Sequence, residues 1–599
     1  MKSTALVASV FLTASIAHAQ TITVTTLNDV TNGSDGVVSL REAVATANNT
    51  PGAQTIEFAI PESEFWTGDG VAVLRLENGL WYITDDETTI DFSSQTTNIG
   101  DTNPTGLEVG VFGLEPNGWG HAAIVIHADN CTIKGMGGVQ LRTPSIEIQG
   151  NNNRVIGCET LGVEIGAVWQ EPIAMNNIIG GTEPGEGNIL GSIDILSWAD
   201  NNTVIGNEIK TIRIAGTDFT HFPTGNRIGG PTPEERNVIK GFGRFGEEGF
   251  PTGQGILLNR AHETIIEGNY IGTTSDGMSS AMQRGIAGIE VRDATDTIIR
   301  NNLISGLYVE GTNHASGLTF GTAIHVNAVN TDTDGVIIQG NLIGTDATGL
   351  NRIQTYIGLT VAQSTGLYTP RNTLIGGTQP GQGNTIAFAD TFGVLIGPLT
   401  TGATISGNSI HSNTLLGIDL IPFSGAGGPT SNDPLDIDTN GGNSFQNFPV
   451  IDSASSNGSS IIAQGNLPSS PNTDYAIEFF ASPECDPSGF GEGQLFLGQI
   501  VVATDASGDA PFSTTLSVGS PVNWVLSATA TELLTGNTSE FSMCSSIAQG
   551  CPADLNGDGE LNFFDISEFL NTMPDFNSDG DFNFFDVSAF LNAFSAGCP

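Results

Sequence analysis

The chain has 599 residues, with 18 Lys and Arg against 64 Asp and Glu, and a net charge of -46. So acidic a chain excludes nucleic-acid phosphate as a partner, since binding there takes clustered basic side chains. It suits calcium or a salty medium that screens its self-repulsion, and its length calls for two to four domains.

Residues 1–19 carry the pattern of a secretory signal: Lys2, an apolar run, and Ala17-His18-Ala19 as a small-x-small cleavage site before Gln20. A buried core helix is the alternative. No cysteine follows the cleavage site, so no lipid anchor is expected there. No later apolar run approaches the ~20 residues of a membrane span. The mature chain is therefore expected outside the cell or on its surface. Six cysteines in an exported chain suggest disulfides, Cys485–Cys544 and Cys551–Cys598, each bracketing one compact stretch.

Ser39-Leu40-Arg41-Glu42-Ala43 has capping-box spacing, Ser39 to Glu42, and opens a short amphipathic helix. A strand, Thr55–Phe58, follows. Internal repetition then dominates. NNTVIGNEI (201–209) returns as ETIIEGNYIG (263–272), DTIIRNNLIS (296–305), GVIIQGNLIG (335–344) and ATISGNSIH (403–411). A second phrase appears as IIGGTEPGEGNIL (178–190), RIGGPTPEERNVI (227–239) and LIGGTQPGQGNTI (374–386). Short β-branched runs between Gly and Asn turns give one strand per corner of a coil, and coils must stack to bury their apolar faces. Asn207, Asn269, Asn302, Asn341 and Asn408 fall at inward turns, where stacked amides form ladders. Turn-forming at positive φ would also explain them.

These phrases resemble the right-handed parallel β-helix, or pectin-lyase-like, proteins over residues 20–445. The start looks like the SLREA module that opens many bacterial surface β-helices, with Val38 where that module has Cys. The repeat register puts Cys131 in the slot of Asn202 and Cys158 in that of Asn207. Those slots lie roughly 16 Å apart along a strand, beyond disulfide reach, so both thiols are expected free, with Cys158 in the ladder row.

GILLNRAHETIIEGNYI (255–271) and GIEVRDATDTIIRNNLI (288–304) align without gaps, and residues 322–343 follow. Alternation turns Leu257, Glu290 and His325 outward, beside Asn259, Arg292 and Asn327. Glu290, Arg292 and His325 are then candidate catalytic residues in one surface cluster, able to neutralise charge and move protons on an acidic glycan. Eight of the 18 basic residues lie from Arg227 to Arg300. A solvated charged face is the alternative. Asn330-Thr331-Asp332 is similar to the start of the polygalacturonase motifs. The other segments of that set are absent, so 330–335 is expected to be an insertion loop. Asp433, Asp436 and Asp438 could take calcium, and a solvated linker is the plainer reading.

From Phe448 the pattern changes to six short strands between turns, an all-β sandwich over 446–546. It resembles the Ig-like domains appended to such β-helices, for which binding or spacing is the implied role.

Residues 547–599 contain DLNGDGELNFFD (554–565) and DFNSDGDFNFFD (575–586). Asp554, Asn556, Asp558, Glu560, Asn562 and Asp565 fall at the calcium-loop ligand positions, as do Asp575, Asn577, Asp579, Asp581, Asn583 and Asp586. Two calcium ions are the expected cofactors. Two such loops, each running into one apolar helix, resemble a dockerin, which implies a cohesin-like surface receptor. The usual polar recognition positions are Phe563-Phe564 and Phe584-Phe585. An apolar patch there marks a partner site; a core role is the alternative.

The sequence thus points to an all-β chain with a small helical calcium domain at its end. Two functions are open: a secreted, surface-held β-helix that binds extracellular polysaccharide, or a polysaccharide lyase or glycoside hydrolase of the same fold.

Overall fold

The computed structural model describes residues 19–597 except 66–69, 77–78, 105, 114–122, 139–145, 167–172, 218–219, 242–252, 282–284, 308–320, 365, 423–426, 457–459, 517–522, 550, 557–559 and 578–579. The chain divides into two compact units, Met1–Glu208 and Ile209–Pro599.

In the first unit the helix Leu40–Asn48 starts at Ser39, whose side chain accepts from Glu42 N while Glu42 reaches back to the Ser39 backbone. Its inner face, Leu40, Ala43, Val44 and Ala47, is buried. Arg41 is fixed by a fork of bonds to Asp29, at 2.7 and 2.9 Å. Parallel pairing then runs from Gln20–Val24 to Gln54–Phe58, Thr89–Asp91 and Thr132–Lys134, and on to Arg154–Ile156, Ile178–Gly180 and Thr203–Ile205. Each step adds one coil of a parallel β-helix.

The second unit repeats the architecture on three faces. One face stacks Arg227–Gly229, Ile265–Glu267, Ile298–Arg300, Ile337–Gln339, Pro370–Gly376 and Thr401–Ser406. The second stacks Gln254–Asn259, Ala287–Arg292, Thr322–Ala328, Ile357–Gln363, Val394–Ile396 and Ile418–Leu420. The third runs from Val238–Ile239 to Ser409–His411. Inward positions are almost all Ile, Leu or Val, fully buried. Ile256, Ile289, Ile324 and Leu359 form one such row in register.

The asparagines do form a ladder. Asn269 Nδ2 donates to Asn302 Oδ1 at 3.0 Å, Asn302 to Asn341 at 3.0 Å, Asn341 to Asn384 at 2.9 Å and Asn384 to Asn408 at 2.8 Å. The backbone N–H of each donates to the same oxygen. Asn237 joins through Asn269, so both repeated phrases supply rungs to one row. The first glycine of the IGG phrase is required by this row. At Gly229, φ is 78°, and a Cβ would lie 2.1 Å from Glu267 O and 2.4 Å from Asn269 Oδ1. In the first unit Cys158 fills a ladder slot, donating its N–H to Asn188 Oδ1 at 2.8 Å. Cys131 does the same to Asn153 in a second row, Asn153–Asn177–Asn202. Both thiols are free and buried.

Beyond the coils come seven strands between Val450 and Gln549, one more than the six the sequence suggests. The missed one, Ser545–Gln549, is short and follows directly on Cys544, with no alternating pattern to announce it. Their core includes Tyr475, Ile477, Phe479, Phe512, Leu526 and Ile547. Cys485 and Cys544 are disulfide-bonded, with Cα atoms 6.0 Å apart. Two helices, Phe563–Thr572 and Phe584–Ala596, end the described chain. Among the described residues no helix is long and apolar enough to cross a membrane.

Candidate functional site

Strand register brings Glu290, Arg292 and His325 together: Glu290 pairs across to His325, and Arg292 to Asn327. The cluster is not the solvated surface group expected from alternation. Glu290 is outward in register yet only 2 % exposed, while the Arg292 side chain keeps 30 % of its surface and His325 is half-buried. The reason is local pairing. Glu290 Oε1 accepts from Arg292 Nε at 2.9 Å and Nη2 at 2.6 Å, and from Asn327 Nδ2 at 3.3 Å. Its other oxygen accepts from Gln254. Burial opposes its charge, but His325 and the Arg292 guanidinium together hold the carboxyl below the usual range. Burial and Arg292 hold His325 below its usual range against the pull of Glu290, so the imidazole is neutral at neutral pH. Such a group offers a fixed guanidinium and a neutral imidazole side by side. Gln254 was not legible as a member, since nothing but coil register assigns it.

Residues 330–335 are not simply an insertion loop. Thr333–Asp334 form a strand paired to Pro370–Arg371. Asp293 accepts from Val329 N, Asn330 N and Asn330 Nδ2 and so pins the turn before it. Asp332 pairs with Arg371 at 3.2 Å and Asp334 accepts from Asn372. Both carboxylates thus serve coil-to-coil contacts.

Asp433, Asp436 and Asp438 do not form a solvated linker either. Their ligand atoms lie within 4.8 Å of one another. Asp436 is held by Gln446 Nε2, Asn447 N and Ser469 Oγ, and burial raises its carboxyl to about 6. One buried oxygen of Asp433 and one of Asp438 meet no hydrogen-bond donor.

Among the described residues of the tail, the two loops repeat the same bonds. Asp565 is fully buried and accepts from Asn556 N and Asn562 N. Asp586 repeats this with Asn577 N and Asn583 N. Asn562 and Asn583 also cap the helices, accepting from Phe564 N and Phe585 N, both at 2.7 Å. Asp575 accepts from Gly580 N at 2.7 Å. Asp554, Glu560 and Asp581 lie on the same loops. Asp558, Asp579 and Cys598 lie outside the described residues; Cys551 is disulfide-bonded. The helices pack through Phe569 and Phe590, stacked at 4.2 Å. Phe563, Phe564, Phe584 and Phe585 are 73, 67, 77 and 68 % exposed, so no member of either pair belongs to that core.

No protein-family model matches the chain, and no curated protein matches it. Among solved structures it is similar to the enzymatically active domain of bacteriophage CBA120 tailspike protein 2. The identity there is 13 %, over 84 % of this chain and 73 % of that one, with a TM-score of 0.28. It is also similar to a mutant tailspike of E. coli bacteriophage HK620 in complex with a hexasaccharide. There the identity is 10 %, over 87 % of this chain and 93 % of that one, with a TM-score of 0.35. Superpositions this loose carry no weight for function, and the parallel β-helix assignment stands on strand register alone.

Proposed function

We propose that the protein is an exported β-helix that binds an acidic extracellular polysaccharide and is held at a surface by its calcium-dependent tail. The observation that supports binding over hydrolysis is the state of Glu290. It is ionised, buried and committed to Arg292, Asn327 and Gln254. A glycosidase needs a carboxylic acid free to give a proton and a second carboxylate facing it. Arg292, partly exposed and fixed from behind, suits a uronate or sulfate group instead.

A second reading has its own support. The neutral, half-buried His325 beside Arg292 fits a lyase, in which the guanidinium neutralises a carboxylate and the imidazole takes the neighbouring proton. The experiment incubates the full chain with a panel of acidic polysaccharides and reads binding, reducing ends and unsaturated sugar. Binding without product, abolished in the paired variant E290Q/R292Q, supports the first reading. Unsaturated product lost in His325→Ala would replace it with the second. The paired variant avoids leaving a buried charge alone, which costs about 3–5 kcal/mol.

The loop donors fit calcium: carboxylate and amide oxygens at alternating positions, with Asp565 and Asp586 buried behind them. The ion's contribution is structural, gathering carboxylates that otherwise repel. Surface retention should be lost in D554A/D575A with the coils intact, and weakened in F564S/F585S with calcium-induced helicity intact. Loss of helicity in the second variant would remove the Phe pairs as the partner surface.

A further inference from the structure

A β-helix ends on a coil with nothing stacked upon it, so its outer row of backbone N–H groups has no strand to meet. In the second unit that last coil runs through Thr401–Ser406, Ser409–His411 and Ile418–Leu420. Many of its amides nonetheless find partners beyond the coil. Gly407 N donates to Glu478 Oε2 at 2.8 Å, Ser412 N to Glu492 Oε2 at 2.6 Å, Asn413 N to Glu492 Oε1 at 3.1 Å and Leu420 N to Glu540 Oε1 at 3.0 Å. Gly402 N and Ile405 N donate to Asn537 Oδ1 and Thr538 Oγ1. Ile410 and Gly493 exchange a pair of backbone bonds at 2.8 and 2.7 Å. Every one of these partners of the coil belongs to the seven-stranded module.

The geometry points to a specific role for that module: it is the end cap of the β-helix, and its glutamates occupy the place of the next coil's ladder. Glu492 shows the substitution most directly. Inside the stack, an Asn sends both its N–H and its Nδ2 to one oxygen on the next coil, as Asn341 does to Asn384. Asn413 sends both its N–H and its Nδ2 to Glu492 Oε1, at 3.1 and 3.0 Å. The rung is complete, with a carboxylate in place of an amide. Glu478, Glu492 and Glu540 are 2, 8 and 2 % exposed. No Lys or Arg follows Arg371, so none of the three has a basic partner within its own module. Three buried acids without cations are costly, and apart from Thr430, which also donates to Glu540, the groups that meet their carboxyls lie on the coil. They are accounted for if the amides of the coil are their partners. An uncapped coil would present a row of free amides, a template for another copy's strands.

The test uses the full chain carrying E478A/E492A/E540A, and E492A alone as the milder variant, at fixed calcium. Hydrogen exchange should show protection at Gly407, Ser412, Asn413 and Leu420 falling by about tenfold or more in the triple variant. In E492A the fall should be confined to Ser412 and Asn413. Interior amides at Ile299 and Ile338, and Ile477 in the module core, should keep theirs. Sedimentation should show the triple variant associating as concentration rises while the wild type does not. Unchanged protection at the four end amides would overturn the proposal. So would loss spread evenly through the module core in E492A, because the glutamates would then serve the module's own fold.

Discussion

Asn302 shows what one residue does in this fold. Its amide receives Asn269 and donates to Asn341 and to the carbonyl of Ile266. Asn302→Leu removes these bonds and leaves buried groups on both neighbouring coils unpaired, so chemical unfolding should show a loss of ~1–3 kcal/mol. An unchanged midpoint would refute the load placed on the rung. Cys131 and Cys158 stand in equivalent slots, and burial pushes both thiols up to about 12. A maleimide at pH 8 should therefore label neither until the chain is unfolded in denaturant, since the thiolate is the reactive form. These slots could be read from sequence because the repeat fixes the register. Glu290 could be placed in register in the same way, but its burial could not. That depends on Gln254 and Asn327 reaching it from adjacent coils, and outward alternation alone forecasts exposure.

Among the elements, the tail was the most legible and the capping module the least. Capping in the tail is a local property, and the caps and helices there follow from a dozen consecutive residues. Which phenylalanines form the core is not local. Phe569 and Phe590 meet only when the two halves pack, and a sequence gives no distance between them. Phe569→Ala should cost the tail ~3–5 kcal/mol, read as a fall in the melting point of its helices. The module's strands were visible by alternation, but the task of its glutamates was not, since the groups they bond lie some 70 to 120 residues earlier. Their titration follows from burial, which lifts Glu492 to about 7 and Glu540 to about 8 over the pull of their hydrogen bonds. A free glutamate titrates near 4.3, so the docked state holds extra protons between that value and about 8. Its stability should fall as pH rises through that window and level off above it. Exchange protection at Ser412 and Leu420, followed from pH 5 to 9, reports this directly. A rise in protection with pH would show that the hydrogen bonds outweigh burial.

At the scale of the whole molecule, a net charge of -46 opposes every compact state the chain adopts. Raising sodium chloride from 10 to 150 mM shortens the Debye length from about 30 to about 8 Å and should raise the melting temperature at fixed calcium. A fall would mean that the ion pairs, such as Arg292–Glu290 and Arg41–Asp29, matter more than the bulk repulsion. The ladder in the second unit carries a different consequence. Asn269, Asn302, Asn341 and Asn384 each give and receive the same bonds, so any of these coils is interchangeable with its neighbour as a platform for the next. Glu492 reads only Ser412 and Asn413, not how many turns precede them. A gene that copied or dropped one such turn would thus encode a chain whose end still fits. Growth and shrinkage of this protein over evolutionary time need no redesign of its terminus, only recombination in phase with the repeat.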